Sequence, residues 1–179
     1  METVLLTILI LIVISVVGYI LLYNNLQAYN IKINEAESII DDLLRKKYDT
    51  LDNMKVIILK ETDLLPNTFE IFEKIKNVNI SSFELDRKLT EIGNLIEQIK
   101  NDYKALEDNE DFSNYFEDVY EINERLEATK SFYNKYTTLL NAAIKKIPSN
   151  IIASFHHMKV KAYFDGKDMF DEEIKDFKL

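Results

Sequence analysis

Between Glu2 and Lys32 the chain carries no charged residue, and fifteen of the twenty residues of Val4–Tyr23 are Leu, Ile or Val. At about 1.5 Å per residue such a helix is roughly 30 Å long, the thickness of a bilayer hydrocarbon core. Each branched aliphatic residue contributes roughly −0.3 to −0.6 kcal/mol to insertion near the centre. The sum is about −4 to −9 kcal/mol before Thr7, Ser15 and Gly18 are set against it. A cleaved secretory signal wants a basic start, a shorter apolar core and an Ala-x-Ala exit. Here the start is Met1-Glu2-Thr3 and the exit is Tyr23-Asn24-Asn25-Leu26. The segment therefore reads as an uncleaved anchor.

Orientation follows from the flanks. Ahead of the span stand only the α-amino group and Glu2; behind it come Lys32 and then Arg45, Lys46 and Lys47. The positive-inside rule puts the carboxyl side in the cytoplasm, with Tyr19 and Tyr23 as aromatic anchors at that interface. The chain is thus expected in the cell membrane, single-pass, with residues 1–3 outside. The residue four after Ser15 is Tyr19, and that four before Gly18 is Ile14, so the span lacks a small-xxx-small pair. Homo-oligomerisation stays open but is not indicated by the span.

Residues 24–164 are expected to form a helical bundle domain, followed by a tail over 165–179. Of 31 acidic residues only Glu2 precedes the span, so the remainder faces 22 basic residues and the domain is acidic. That argues against nucleic acid, which needs a basic face. The chain has no cysteine, so disulfides, thiolate zinc sites and cysteine nucleophiles are excluded. From Tyr23 to Leu65 there is neither glycine nor proline, so the membrane helix is expected to run directly into the first soluble helix.

Apolar spacing carries the rest. Ile33, Ala36, Ile40, Leu44, Leu51, Met54 and Ile58 follow three- and four-residue steps, interrupted at Lys47, and Pro66 ends this helix. Phe69, Phe72 and Ile75 give a short amphipathic piece. Asn79-Ile80-Ser81-Ser82 is a turn, with Ser81 and Glu84 at capping-box spacing. Leu85, Leu89, Ile92, Ile96, Ile99, Tyr103 and Leu106 form a heptad seam. Asp108 to Asp111 are placed to cap the next helix. There Phe112, Val119, Leu126, Tyr133, Leu140 and Ile147 recur every seven residues, until Pro148 stops it. The fold class expected is all-α: a long antiparallel up-and-down bundle of three long helices, about 40–50 Å each, and a shorter one, continuous with the transmembrane helix. Beyond Pro148, Asn150–His157 reads as a short helix and Lys159–Phe164 as extended. Phe170, Ile174 and Phe177 place an apolar stripe in the tail.

Three stretches, in order, resemble the LemA family of small membrane-anchored bacterial proteins. The first is Tyr23-Asn24-Asn25-Leu26. The second is Asn34-Glu35-Ala36-Glu37-Ser38-Ile39-Ile40-Asp41 through Leu44-Arg45-Lys46-Lys47-Tyr48-Asp49 and Asn53-Met54. The third is Asn109-Glu110-Asp111-Phe112, then Glu121 to Tyr133-Asn134, then Ile147-Pro148-Ser149-Asn150-Ile151-Ile152-Ala153 and Tyr163-Phe164. The resemblance covers about residues 20–164. Glu37 stands where the family often has tryptophan and Asp52 where it has proline, so any kink there should move or vanish. The resemblance implies an amino-terminus-out, single-pass protein with a cytoplasmic bundle, and adds no mechanism.

Individual clusters have bland readings. Asp41 and Asp42 lie four residues before Arg45 and Lys46, so Arg45-Lys46-Lys47 reads as a solvated, self-paired face. It stands about 30 Å beyond the membrane end, where a Debye length of about 8 Å screens the leaflet. Asn134 and Asn141, seven apart beside the core line, read as register-fixing amides more than as a ligand site. His156-His157 point about 100° apart on a helix and do not share an ion as an i, i+4 pair can. Glu107 to Asp111 has Phe112 where a calcium loop needs glycine. No phosphate loop is present and both histidines lie late in the chain. Hence no catalytic, cofactor or metal residue is assigned, and the chain is not expected to be an enzyme. The leading expectation is a structural or interaction protein with unidentified protein partners, besides the lipid bilayer through Val4–Tyr23. The alternative is an extracytoplasmic ligand-sensing bundle.

Overall fold

The computed structural model describes residues 1–76 and 80–164. All its regular structure is helical, and no strand occurs among the described residues. The elements are α1 (Glu2–Glu61), a 3-10 turn (Pro66–Phe69), α2 (Glu70–Lys76), α3 (Ser82–Asp102), a second 3-10 turn (Lys104–Leu106), α4 (Glu110–Lys145) and α5 (Ser149–Phe155). The all-α expectation holds. Asn79 of the expected turn, and Phe170, Ile174 and Phe177 of the tail, lie outside the described residues.

α1 is one helix of 60 residues. With no breaker between Gly18 and Pro66 it crosses Asp52 without interruption, as a chain lacking proline there should. Its first part contains a window of mean hydropathy 3.1, none of it covered by protein, and it is long and apolar enough to cross a membrane. From Leu26 on, the apolar positions turn inward: Ile33, Ala36, Ile40, Leu44, Leu51, Met54 and Ile58 are all buried. Helix starts follow local chemistry. The Ser81 hydroxyl accepts from the Glu84 amide at 3.2 Å, and Asn109 Oδ1 from the Phe112 amide at 3.0 Å, each satisfying a donor that the first turn leaves unpaired.

The chain forms two compact units. One comprises Met1–Ala36 with the described residues from Ser131 on; the other is Glu37–Lys130. In the second unit, contacts fix the helix directions. Asp41 meets Ser82, Lys47 meets Thr90, and Asp63 meets Tyr103, so α1 and α3 run parallel. Phe72 of α2 stacks edge-on against Tyr48, and Lys55 lies over the Phe72 ring, on a segment returning from the end of α1. Lys100 lies over Phe116 while Lys130 pairs with Asp86, so α4 runs antiparallel to α3. Up, down, up, down is therefore the order, with α2 the short member. Phe69, Phe72, Leu89, Ile92, Ile96, Leu106, Phe112 and Leu126 are among its buried side chains.

The first unit has a smaller core: Leu26, Ile33, Leu140, Ile152 and Ala153, with Tyr23, Tyr29, Tyr133 and Tyr136 packed against it. Two parts of the expected seams fail. Tyr103 is not inside α3, which stops at Asp102 with Tyr103 at φ −119, ψ 88. Its hydroxyl instead donates to Asp63 at 2.9 Å, and α3 is about 30 Å long, shorter than expected. Leu106 is still buried, from the following 3-10 turn. Ile147 leaves the seven-residue line altogether, being 74% exposed, because α4 ends at Lys145.

Candidate functional site

The unit of Glu37–Lys130 encloses ionised groups. Lys47 is only 2% exposed, on the buried stripe between Leu44 and Leu51. Its Nζ donates to Thr90 Oγ1 at 3.2 Å and lies 3.6 Å from Asp86 Oδ1. Asp86 Oδ2 takes Lys130 at 2.6 Å, and Lys130 also pairs with Glu127 at 2.6 Å. Two ammonium groups and two carboxylates thus alternate across three helices, so the charge cancels locally. Burial, partly offset by Asp86, holds the Lys47 ammonium below its ordinary pKa. Burial also opposes charge on Lys130, but its hydrogen bonds to Asp86 and Glu127 prevail and raise it. A cavity of about 320 Å³ opens beside the cluster, lined also by Asn94, Glu97, Phe116, Tyr120 and Asn123. A Cβ added at Gly93 on its wall would meet nothing within 4 Å.

This corrects the reading of Arg45-Lys46-Lys47 as one solvated face. Arg45 and Lys46 are exposed, but Lys47 is inside, and Asp41 accepts the Ser82 hydroxyl at 2.5 Å. The overlooked signal is spacing. Lys47 is three after Leu44 and four before Leu51; Asp86 is three before Leu89; Lys130 is four after Leu126 and three before Tyr133. Each charge stands on a core stripe and so needs a partner there.

In the other unit, buried polar groups are neutral. Asn141 donates Nδ2 to the Lys161 carbonyl and accepts the Lys161 amide on Oδ1, both at 2.8 Å. Asn134 Oδ1 accepts the Phe164 amide at 2.9 Å, and Tyr133 donates to the Ala162 carbonyl at 3.1 Å. The seven-residue pair thus ties down a non-helical segment after α5. It sets register against a backbone, where a neighbouring helix was the expected partner. Lys161 Nζ reaches Asn34 Oδ1 at 2.8 Å, joining that segment to α1.

α5 closes this unit at the end of α4. The Ser149 hydroxyl lies 2.7 and 2.8 Å from the Ala143 and Lys146 carbonyls, which also accept the Lys146 and Asn150 amides at the helix end. α5 itself ends in a Schellman turn: Met158 N donates to Ala153 O at 2.9 Å and His157 N to Ser154 O at 3.1 Å, with His157 at φ 52. His156 Nε2 sits 2.6 Å from the Tyr19 hydroxyl, and its ring centroid is 4.5 Å from that of Tyr23. The two histidines therefore have separate surroundings: His156 faces α1 and His157 caps α5.

Comparison with known proteins adds one positive finding. The model of the LemA family matches residues 36–175. It begins after the Tyr23–Leu26 stretch and reaches into the tail, which extends the resemblance beyond Phe164. No curated protein and no solved structure matches the chain. Since the matched residues make up most of its length, the chain belongs to the LemA family.

Proposed function

We propose that this LemA-family chain is a single-pass anchored scaffold or adaptor: residues 1–3 outside, Val4–Tyr23 across a bacterial membrane, and the helical units in the cytoplasm, presented to a protein partner. One observation carries the anchor. The Leu, Ile and Val side chains from Val4 to Leu21 are exposed, whereas one face of the same helix from Leu26 is core. Large exposed aliphatic surface of this extent calls for an apolar solvent, and a bilayer supplies it. Tyr19 and Tyr23 stack with centroids 6.3 Å apart on the last turns of the span, a place suited to the aromatic belt.

Orientation rests on charge. From Ala128 to Phe164 there is no acidic residue, and Lys145, Lys146 and Lys159 flank the helix whose successor, His156, touches Tyr19. Cations gathered beside that end of the span favour the cytoplasmic side. The role is taken as non-enzymatic, and the buried cluster is engaged internally. Lys47, the group closest to an activated amine, is held by Thr90 and Asp86.

The absence of cysteine makes topology directly testable. A cysteine at Tyr120, an exposed position, is expected to react with a membrane-impermeant maleimide only after cells are permeabilised. Labelling on intact cells would favour the extracytoplasmic sensing bundle instead.

A further inference from the structure

α5 shows apolar side chains on two faces. Ile152 and Ala153 are buried against Leu26 and Leu140. Ile151 and Phe155, four residues apart and hence on one helix face, are 66% and 74% exposed, and Ile147 just before the helix is 74% exposed. These three are among the largest exposed apolar side chains outside the span.

Position identifies what covers them. His156 directly follows Phe155, and the two rings lie 5.3 Å apart. His156 in turn meets Tyr19, a residue within the apolar span, and stacks near Tyr23. Tyr19 lies about 6 Å along α1 from Tyr23, toward the bilayer centre. Phe155 is therefore held at the depth where the span emerges. The neighbouring sequence is cationic: Lys145, Lys146 and Lys159 flank α5, and residues 131–164 contain no Asp or Glu, in a chain of net charge −9. The overall acidity belongs to other parts of the chain. An apolar helix face with lysines just before and after it in sequence has the composition of an interfacial element.

We propose that Ile147, Ile151 and Phe155 dip into the headgroup–acyl boundary of the same leaflet the span leaves, with the surrounding lysines on anionic headgroups. α5 is then a second, monotopic membrane contact. This rests on the anchored reading of Val4–Tyr23.

The chain has no tryptophan, so single substitutions report depth without background. Full chains carrying Val13→Trp, Phe155→Trp or Tyr120→Trp are reconstituted in vesicles of phosphatidylcholine and phosphatidylglycerol, with or without acyl chains brominated near the headgroup or near the terminal methyl. Val13→Trp should be quenched most by deep bromines. Phe155→Trp should emit to the blue and lose most of its intensity to shallow bromines, while Tyr120→Trp keeps water-like emission. Water-like, unquenched emission from Phe155→Trp beside a quenched Val13→Trp overturns the α5 contact and leaves the anchor standing. An unquenched Val13→Trp overturns both. Quenching at Tyr120 equal to that at Phe155 overturns the specific contact as well.

Discussion

The two units stabilise buried polar groups by opposite means. In Glu37–Lys130 the polar interior is ionic: Lys47 is buried on the core stripe, and Asp86 and Lys130 pair beside it at the edge of a cavity. In the unit holding the apolar first part of α1, Asn141, Asn134 and Ser149 are amides and a hydroxyl bound to backbone, and Lys145 and Lys146 are exposed. Amides suit a place where a segment must be tied along a helix, since each amide carries both a donor and an acceptor. Ion pairs between helices suit a core whose parts arrive from distant sequence, because a misplaced charge is heavily penalised. The contrast predicts that removing one partner hurts the ionic unit as a whole and the amide unit locally.

Asp86→Ala should be the most damaging change. It leaves two cations with one fewer partner inside a core, and breaking buried pairs typically costs about 3–5 kcal/mol. Urea unfolding of the full chain in micelles should show an earlier midpoint with helix lost across α1, α3 and α4. A loss under about 1 kcal/mol would mean that the cluster is effectively solvated.

Asn141→Ala comes next. It strands the Lys161 amide and carbonyl, each worth about 1–3 kcal/mol if left unpaired. Hydrogen exchange should speed at Lys161 and Phe164 while amides of α3 keep their protection. Uniform acceleration through both units would contradict the local role.

Lys47→Met should change stability least near neutral pH, within about 1 kcal/mol, since an apolar replacement removes a desolvation cost and leaves Asp86 with Lys130. Its signature is in the pH dependence. The folded chain holds the Lys47 proton more loosely than the unfolded chain, whose lysine titrates near 10.5. Stability should therefore rise with pH between the lowered folded value and the ordinary one, where the unfolded state binds more protons. Lys130 has the opposite sign: its contribution is complete below 10.5 and is lost as pH climbs through the raised folded value. Unfolding titrations of Lys47→Met should lack the rise and keep the alkaline loss.

These same residues show how far sequence reasoning reaches. The stripes of α1 and of α3 up to Ile99 are legible because burial enforces helical spacing, whereas α1 and α4 end at Glu61 and Lys145, ahead of Pro66 and Pro148. The Ser81 cap was legible because its chemistry is local. Lys47 is not legible in this way, because its neighbours in sequence, Asp42 and Lys46, suggest a local pairing, whereas its partner lies 39 residues away in Asp86. Asn134 and Asn141 were correctly seen as one stripe, but a stripe does not reveal that a non-helical backbone will lie along it. Ile147 continued a seven-residue pattern past the end of its helix, and periodicity alone carries no information about where the backbone turns.

The central claim is that α1 changes solvent partway along, from lipid to protein core, without changing conformation. A cysteine scan from Val4 to Ile40 with nitroxide labels, read by oxygen and nickel-chelate accessibility in vesicles, tests this directly. From Val4 to Leu21 oxygen access should dominate at every position, deepest near Ile12, without helical periodicity. After Tyr23 nickel access should appear and oscillate every 3.6 residues, with minima at Leu26, Ile33, Ala36 and Ile40. Nickel access throughout Val4–Leu21, or a 3.6-residue oscillation already present there, would contradict it.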